Sequence, residues 1–223
     1  PVAHSFPTRR SSDLVFFADW YYETDEILDT ERLFPAPDRK GDIPAQALPS
    51  GPNYPVENYQ MMVVAAVYSA QERIVITTPY FVPDESFLHA LNVATLRGVR
   101  VSIILPSRYD QILVGAASRS YYQDLLDAGV EIYIFKPGVI HAKTLTIDDA
   151  MAFIGTSNFD IRSFALNFEI NMMFYEETMA GKLYSEQMAY AENSERLTQE
   201  QWSHYPRTRK ALQNLARLFS PLL

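Results

Sequence analysis

The 223 residues are 48% hydrophobic and 21% charged, a balance that excludes a disordered polymer and supports a sizeable core. A net charge of −8 argues against broad nucleic-acid binding, so no nucleic-acid partner is expected. The absence of cysteine excludes disulfides and thiolate sites, and the four histidines (His4, His89, His141 and His204) include no pair at the helical spacing of a metal site.

Residues 1–14 have no hydrophobic periodicity. The string His4–Leu14, HSFPTRRSSDL, resembles one reading-frame translation of a short-read sequencing adapter, and the segment is set apart from the fold as foreign. Val15 to about Leu33 carries apolar and aromatic residues at helical spacing and reads as one helix or two short ones. A proline-rich connection, residues 34–57, follows, with one buried strand near Ala45–Leu48. Residues 57–223 read as the main domain. Glu57–Glu72 is expected as a helix and Ile74–Thr78 as a buried strand. The longest apolar run, Met61–Tyr68, falls far short of the roughly 20 residues that span a bilayer, so the residues present read as a soluble piece.

Pro79 and Pro83 bracket a loop, Asp84 caps a helix over Glu85–Arg97, and Gly98 closes it. Val99–Leu105 and Val130–Phe135 are further strands, separated by a helix over Gln111–Ala128. The alternation predicts an α/β layer structure with a largely parallel sheet. Strands over Ile140–Ile147, Met151–Ile154 and Asn167–Tyr175 come next, with a turn at Asp148-Asp149. Residues 178–219 read as helical, with breaks near Thr198 and Ser203–Arg207.

The chemistry concentrates after residue 140. In a strand over 140–147, alternation sets His141 and Lys143 on one face. Phosphodiester chemistry needs an acid or nucleophile that titrates near neutrality, which imidazole supplies, and a cation beside the phosphate oxygens. Asp148, at the strand end, is suited to fixing local geometry by hydrogen bonds or an ion pair. Gly155-Thr156-Ser157-Asn158 offers a tight turn, hydroxyls and an amide donor to phosphate. Glu169, on a further strand, is suited to orienting an imidazole. A lone H-x-K pair would be better read as an exposed strand face; the surrounding residues shift the balance.

His141, Lys143, Asp148, Gly155, Thr156 and Asn158 stand as H-x-K-x4-D-x6-G-[ST]-x-N, which resembles the signature of the phospholipase D superfamily. Within it the chain is similar to the C-terminal half of bacterial cardiolipin synthases. That likeness is carried by TPYFVPD (Thr78–Asp84), ASRSYY (Ala117–Tyr122), NFDIRS (Asn158–Ser163), LNFEIN (Leu166–Asn171) and the closing Pro221-Leu222-Leu223. TPYFVP by itself also fits a strand-to-loop packing motif.

The resemblance implies a phospholipase D-like α/β/α sandwich, one of two repeated domains, with residues 15–56 as a remnant of the first domain and linker. It implies a phosphatidyltransferase of the bacterial inner membrane that joins two phosphatidylglycerol molecules through a phosphohistidine and uses no metal or other cofactor. A second H-x-K, expected upstream together with the membrane-contacting part, would carry the nucleophile. His141 would be the acid and then the base, although the residues leave acid and nucleophile open. Lys143, Thr156 and Asn158 would hold phosphoryl oxygens, and Glu169 would orient His141. With only half a site, the chain is expected to be inactive alone. Two alternatives stay open: a single-motif phosphodiesterase or nuclease completed by homodimerisation, and a non-catalytic domain that binds phosphate or lipid.

Overall fold

The computed structural model describes residues 8–28, 42–52, 54 and 57–220, and side chains from Val15 onward. Helix α1 runs Thr8–Thr24. It therefore starts seven residues before Val15, where the sequence reading began the helix. It stops well short of Leu33 because Asp25 takes a left-handed φ of 55°. There Thr24 Oγ1 donates to the carbonyl of Trp20 at 2.7 Å and accepts from Glu26 N at 3.2 Å, replacing helical bonds. Most of the proline-rich connection, and the end expected for this helix, lie outside the described residues.

Among the described residues, α1 is followed by β1 (Ala45–Ser50), α2 (Asn58–Ser69), β2 (Arg73–Thr77), β3 (Phe81–Val82), α3 (Glu85–Leu96) and β4 (Arg100–Pro106). After these come α4 (Ile112–Ser120), α5 (Tyr122–Asp127), β5 (Glu131–Phe135), β6 (Thr144–Ile147), β7 (Met151–Gly155) and β8 (Phe159–Asp160). The chain closes with α6 (Ile161–Ala165), β9 (Glu169–Phe174), α7 (Glu177–Glu192), β10 (Ser194–Leu197), α8 (Gln199–Ser203) and α9 (Arg207–Arg217). Asp84 caps α3 as expected, its carboxylate accepting from Ser86 N and Phe87 N at 3.2 and 3.1 Å. The single helix expected over Gln111–Ala128 is two, meeting at Tyr121.

Eight strands form one sheet in the order β1-β9-β7-β6-β2-β4-β5-β10. It is not largely parallel. Only β2–β4 and β4–β5 pair in parallel; the other five pairings are antiparallel. The reason is local: β6 and β7 join through the tight turn at Asp148, which permits only an antiparallel return. β10 was expected to be helix. Its sequence, SERL, has no strand pattern, and it is held extended by pairing with β5.

Alternation along the central strands sorts the core onto both faces. Ile74, Ile76, Ile103 and Leu105 join Val63, Phe87, Ala117 and Leu125 of α2–α5 on one side. Val75 and Ile104 face Tyr184 and Met188 of α7 on the other. This is the expected α/β/α sandwich. Gln187 of α7, though polar, is buried. It donates to the Val75 carbonyl and Thr144 Oγ1 at 3.0 Å each and accepts from Thr146 Oγ1 at 2.6 Å. All its polar demand is met, so α7 is locked in register over β2 and β6.

Candidate active site

Strand β6 organises the site through its two ends. His141 and Lys143 precede it in irregular backbone rather than lying within a strand over 140–147, which corrects the expected same-face pairing. The cause is the reach of its neighbours, since both β2 and β7 stop pairing at Thr144. Lys143 instead bends its ammonium back to donate to the His141 carbonyl at 2.9 Å. The His141 side chain is exposed.

Asp148 closes the opposite end, across a four-residue strand of roughly 13 Å. Its carboxylate accepts from the backbone N–H groups of Gln71, Glu72 and Arg73 at 2.9, 2.8 and 2.9 Å. The Arg73 guanidinium donates to the Asp148 carbonyl at 3.0 Å, ion-pairs with Asp149 and lies 4.3 Å from the centre of the Tyr184 ring. Partial burial pushes the Asp148 carboxyl up, but the three N–H donors and Arg73 outweigh it and hold it below the usual range. Asp148 thus clamps the fold and is not brought to the site.

Around Lys143 the fold gathers three carboxylates. Burial draws the ammonium below its usual pKa, against the opposing pull of Glu169, then Asp160, then Asp110. Asp110 follows β4 and Tyr80 follows β2, so both sit beyond the carboxyl ends of parallel strands, where α/β sheets open their ligand crevices. The Tyr80 hydroxyl donates a short hydrogen bond to Asp110. That bond holds the Asp110 carboxyl low against slight burial, and His141 adds to the effect. Burial and Asp110 together push the Tyr80 hydroxyl up to about 12.

Glu169 begins β9. Asn167 donates to it at 3.3 Å and accepts from Arg162 Nε at 3.2 Å, a short relay from a cation to the carboxylate. No hydrogen bond joins Glu169 to His141 in this structure. Asp160 caps α6 through Ser163 N at 2.6 Å. Burial pushes its carboxyl up despite donors from Ser163 and Asn158, and Glu169 adds to the rise.

The Asn158 amide is therefore partly committed to Asp160, and its Oδ1 is buried without a partner. Thr156 Oγ1 accepts from Ile170 N at 3.0 Å and donates to the Ile170 carbonyl at 3.3 Å, stitching the turn after β7 to β9. A cavity of about 260 Å³ opens beside it. It is bounded by Thr156, Glu169, Phe168, Ser50, Tyr54 and the α1 face of Val15, Ala18, Asp19 and Tyr22, and it does not include His141 or Lys143.

His141, Lys143 and Glu169 are thus brought to one end of the sheet, with Thr156 and Asn158 shaping the adjacent turn. Asp110, Tyr80, Asp160 and Asn167 belong to the same neighbourhood and escaped the sequence reading as functional residues. Tyr80 and Asp160 lie inside the stretches TPYFVPD and NFDIRS, which is where their signal was. Asp110 sits in no motif.

The family model described as "Cardiolipin synthase, PLD-like domain" matches residues 63–189, more than half the chain. The chain belongs to that family. A cardiolipin synthase A of Pectobacterium carotovorum is 38% identical over 97% of this chain. The cardiolipin synthase of Alkalihalophilus pseudofirmus is 39% identical over 96%. The chain spans 45% and 43% of the lengths of these two relatives.

The phospholipase D family fold is equally clear in solved structures. Nuc from Salmonella typhimurium superposes with a TM-score of 0.59 at 19% identity, covering 70% of this chain and 99% of that one. Phosphatidylserine synthase from Haemophilus influenzae gives 0.64 at 17% identity, covering 80% and 48%. The chain thus carries the PLD-like domain of the cardiolipin synthase family, with His141 and Lys143 at the crevice end of its sheet.

Proposed function

We propose that this chain supplies one half-site for transfer of a phosphatidyl group between two phosphatidylglycerol molecules, giving cardiolipin and glycerol. The observation that supports it is the gathering of His141, Lys143 and Glu169 at one end of β6 in a chain alike to cardiolipin synthases over nearly its whole length. The second H-x-K half-site comes from outside these residues. Its imidazole attacks phosphorus and the phosphorus–oxygen bond to glycerol breaks. His141 gives its proton to the departing glycerol oxygen.

The acceptor's primary hydroxyl then loses its proton to His141 and attacks the phosphohistidine, which restores both imidazoles. Lys143 holds the phosphoryl oxygens, and its partly desolvated ammonium is a stronger electrostatic partner there than it would be in water. Glu169 steadies His141 once the crevice is closed by the other half.

The test is reconstitution. The chain is mixed with the upstream half of a cardiolipin synthase and supplied with phosphatidylglycerol, and cardiolipin and glycerol are quantified. Product is expected from the mixture, and none from the chain alone or from a mixture carrying His141→Ala. Turnover by the verified monomer would refute the half-site reading.

A second reading rests on Nuc, a chain almost entirely covered by this fold. A homodimer of this chain would set two copies of His141 face to face and cleave phosphodiesters. It requires activity that rises with dimer concentration in the absence of any other half.

A further inference from the structure

Helix α9 is inside out. A surface helix normally turns its apolar stripe to the body and its polar face to water. Here Gln213 and Ala216 are the buried residues, while Leu212, Leu215 and Leu218 are 66%, 56% and 74% exposed and Phe219 follows at 47%. At 100° per residue these four side chains form one continuous stripe, with only Thr208 and Ala211 among them.

The helix carries Arg207, Arg209, Lys210 and Arg217 and no acidic residue, in a chain whose net charge is −8. Arg217 is spent on the fold, paired with Asp124 at 2.6 Å and lying 4.2 Å from the Tyr121 ring. Lys210 lies 4.9 Å over the Trp202 ring. Arg207 and Arg209 are exposed; the helical wheel sets Arg207 about 20° beyond Leu218, at one border of the stripe, and Arg209 about 60° beyond Leu212, past the other border toward the packed side. α9 packs along α4, which begins with exposed Ile112 and Leu113, two and three residues after Asp110 at the crevice.

We infer that α9 is a docking surface for anionic lipid, lying in the plane of a bilayer with its leucine stripe among the acyl chains and Arg207 and Arg209 on phosphates. A leucine stripe bordered by Arg207, on a helix that carries a second exposed arginine and no carboxylate, matches the layered chemistry of an anionic membrane surface. A protein partner would need only the leucines. No helix among the described residues is long and apolar enough to cross a membrane. Attachment through α9 is in-plane and reversible. This surface is separate from the half-site, and its test does not depend on the chemistry proposed there.

The 223-residue chain is sedimented with vesicles of phosphatidylcholine alone, and with vesicles of equal parts phosphatidylcholine and phosphatidylglycerol. Binding is expected to the second and to be weakened by salt. The variant Leu212→Gln/Leu215→Gln/Leu218→Gln should lose about tenfold or more in partition. Arg207→Glu/Arg209→Glu should lose about fivefold or more for each charge removed. All five positions are exposed, so both variants should fold, and unchanged circular dichroism and melting confirm it.

Equal binding by the wild type and both variants, or no binding by the wild type, overturns the proposal. So does a wild-type dimer that the leucine variant dissociates while vesicle binding stays intact, because the stripe would then belong to a second copy.

Discussion

The backbone N–H of Gly155 donates to the carbonyl of Lys143 at 3.2 Å, so the end of β7 holds the motif lysine from behind. On its other side β7 runs very close to β9 at that point. A Cβ built on Gly155 would lie 2.2 Å from Asn171 Oδ1 and 2.5 Å from the Ile170 carbonyl.

Gly155→Ala is therefore expected to push β7 and β9 apart, at a cost of about 1–3 kcal/mol. It should also loosen Lys143 and the bond from Ser157 N to Asn171. Urea unfolding measures the loss. Gly138→Ala is the control, since nothing lies within 4 Å of its added carbon and neutrality is expected.

Asp148→Asn keeps the side chain's tolerance of a left-handed φ of 50° but removes the charge that three backbone donors share. A loss of about 1–3 kcal/mol is expected at pH 7. Asp148→Ala should cost more, because alanine is strained at that φ. The folded-state pKa is depressed, so the wild-type contribution is present above the ordinary carboxylate value. It fades as pH falls from about 4 through the lower folded value. Denaturant midpoints should drop below pH 4 for the wild type and change less for Asp148→Asn. Parallel curves would remove Asp148 from its clamping role.

Lys143 is held at a cost, since burial disfavours its charge more than the surrounding carboxylates restore it. Lys143→Met should leave the melting midpoint unchanged or raised while abolishing transfer in the reconstituted assay. That split between stability and activity is what a side chain kept for its chemistry produces. A lowered midpoint with intact transfer would mark it as structural.

Tyr80→Phe removes the hydrogen bond that most depresses the Asp110 carboxyl. Carboxylate titration by NMR should find Asp110 moved upward toward the ordinary range, with little change in stability because the pair is exposed. An unmoved Asp110 would mean that His141 and the local backbone hold it instead.

The motif was legible because it is local: His141 through Asn158 form one continuous segment made of two adjacent strands, the turn between them and the few residues on either side. Ile140-His141-Ala142-Lys143 alternates apolar and polar like a strand. The ladder ends at Thr144, where β2 ends opposite it and β7 runs just one residue further, and one segment's sequence does not contain its partners' lengths. The same limit hid β10, whose Ser194–Leu197 is extended only because β5 pairs with it. Asp110 and Asp160 stayed unseen as site residues because each is a lone carboxylate in a loop or cap. Tertiary packing alone brings them within electrostatic reach of Lys143. Asp84 and its helix, by contrast, were plain, since cap and capped turn are contiguous.

Strand β6 has a further meaning. Its four residues set how far the clamped Asp148 stands from His141, so the motif's spacer measures a length as much as it recites residues. A one-residue deletion there would reverse which face every later side chain of the strand meets, although each chemical group survived. Grafting this chemistry onto another sheet would thus require transplanting a distance, anchored at its far end, and the histidine and lysine without that anchor would be letters without a ruler.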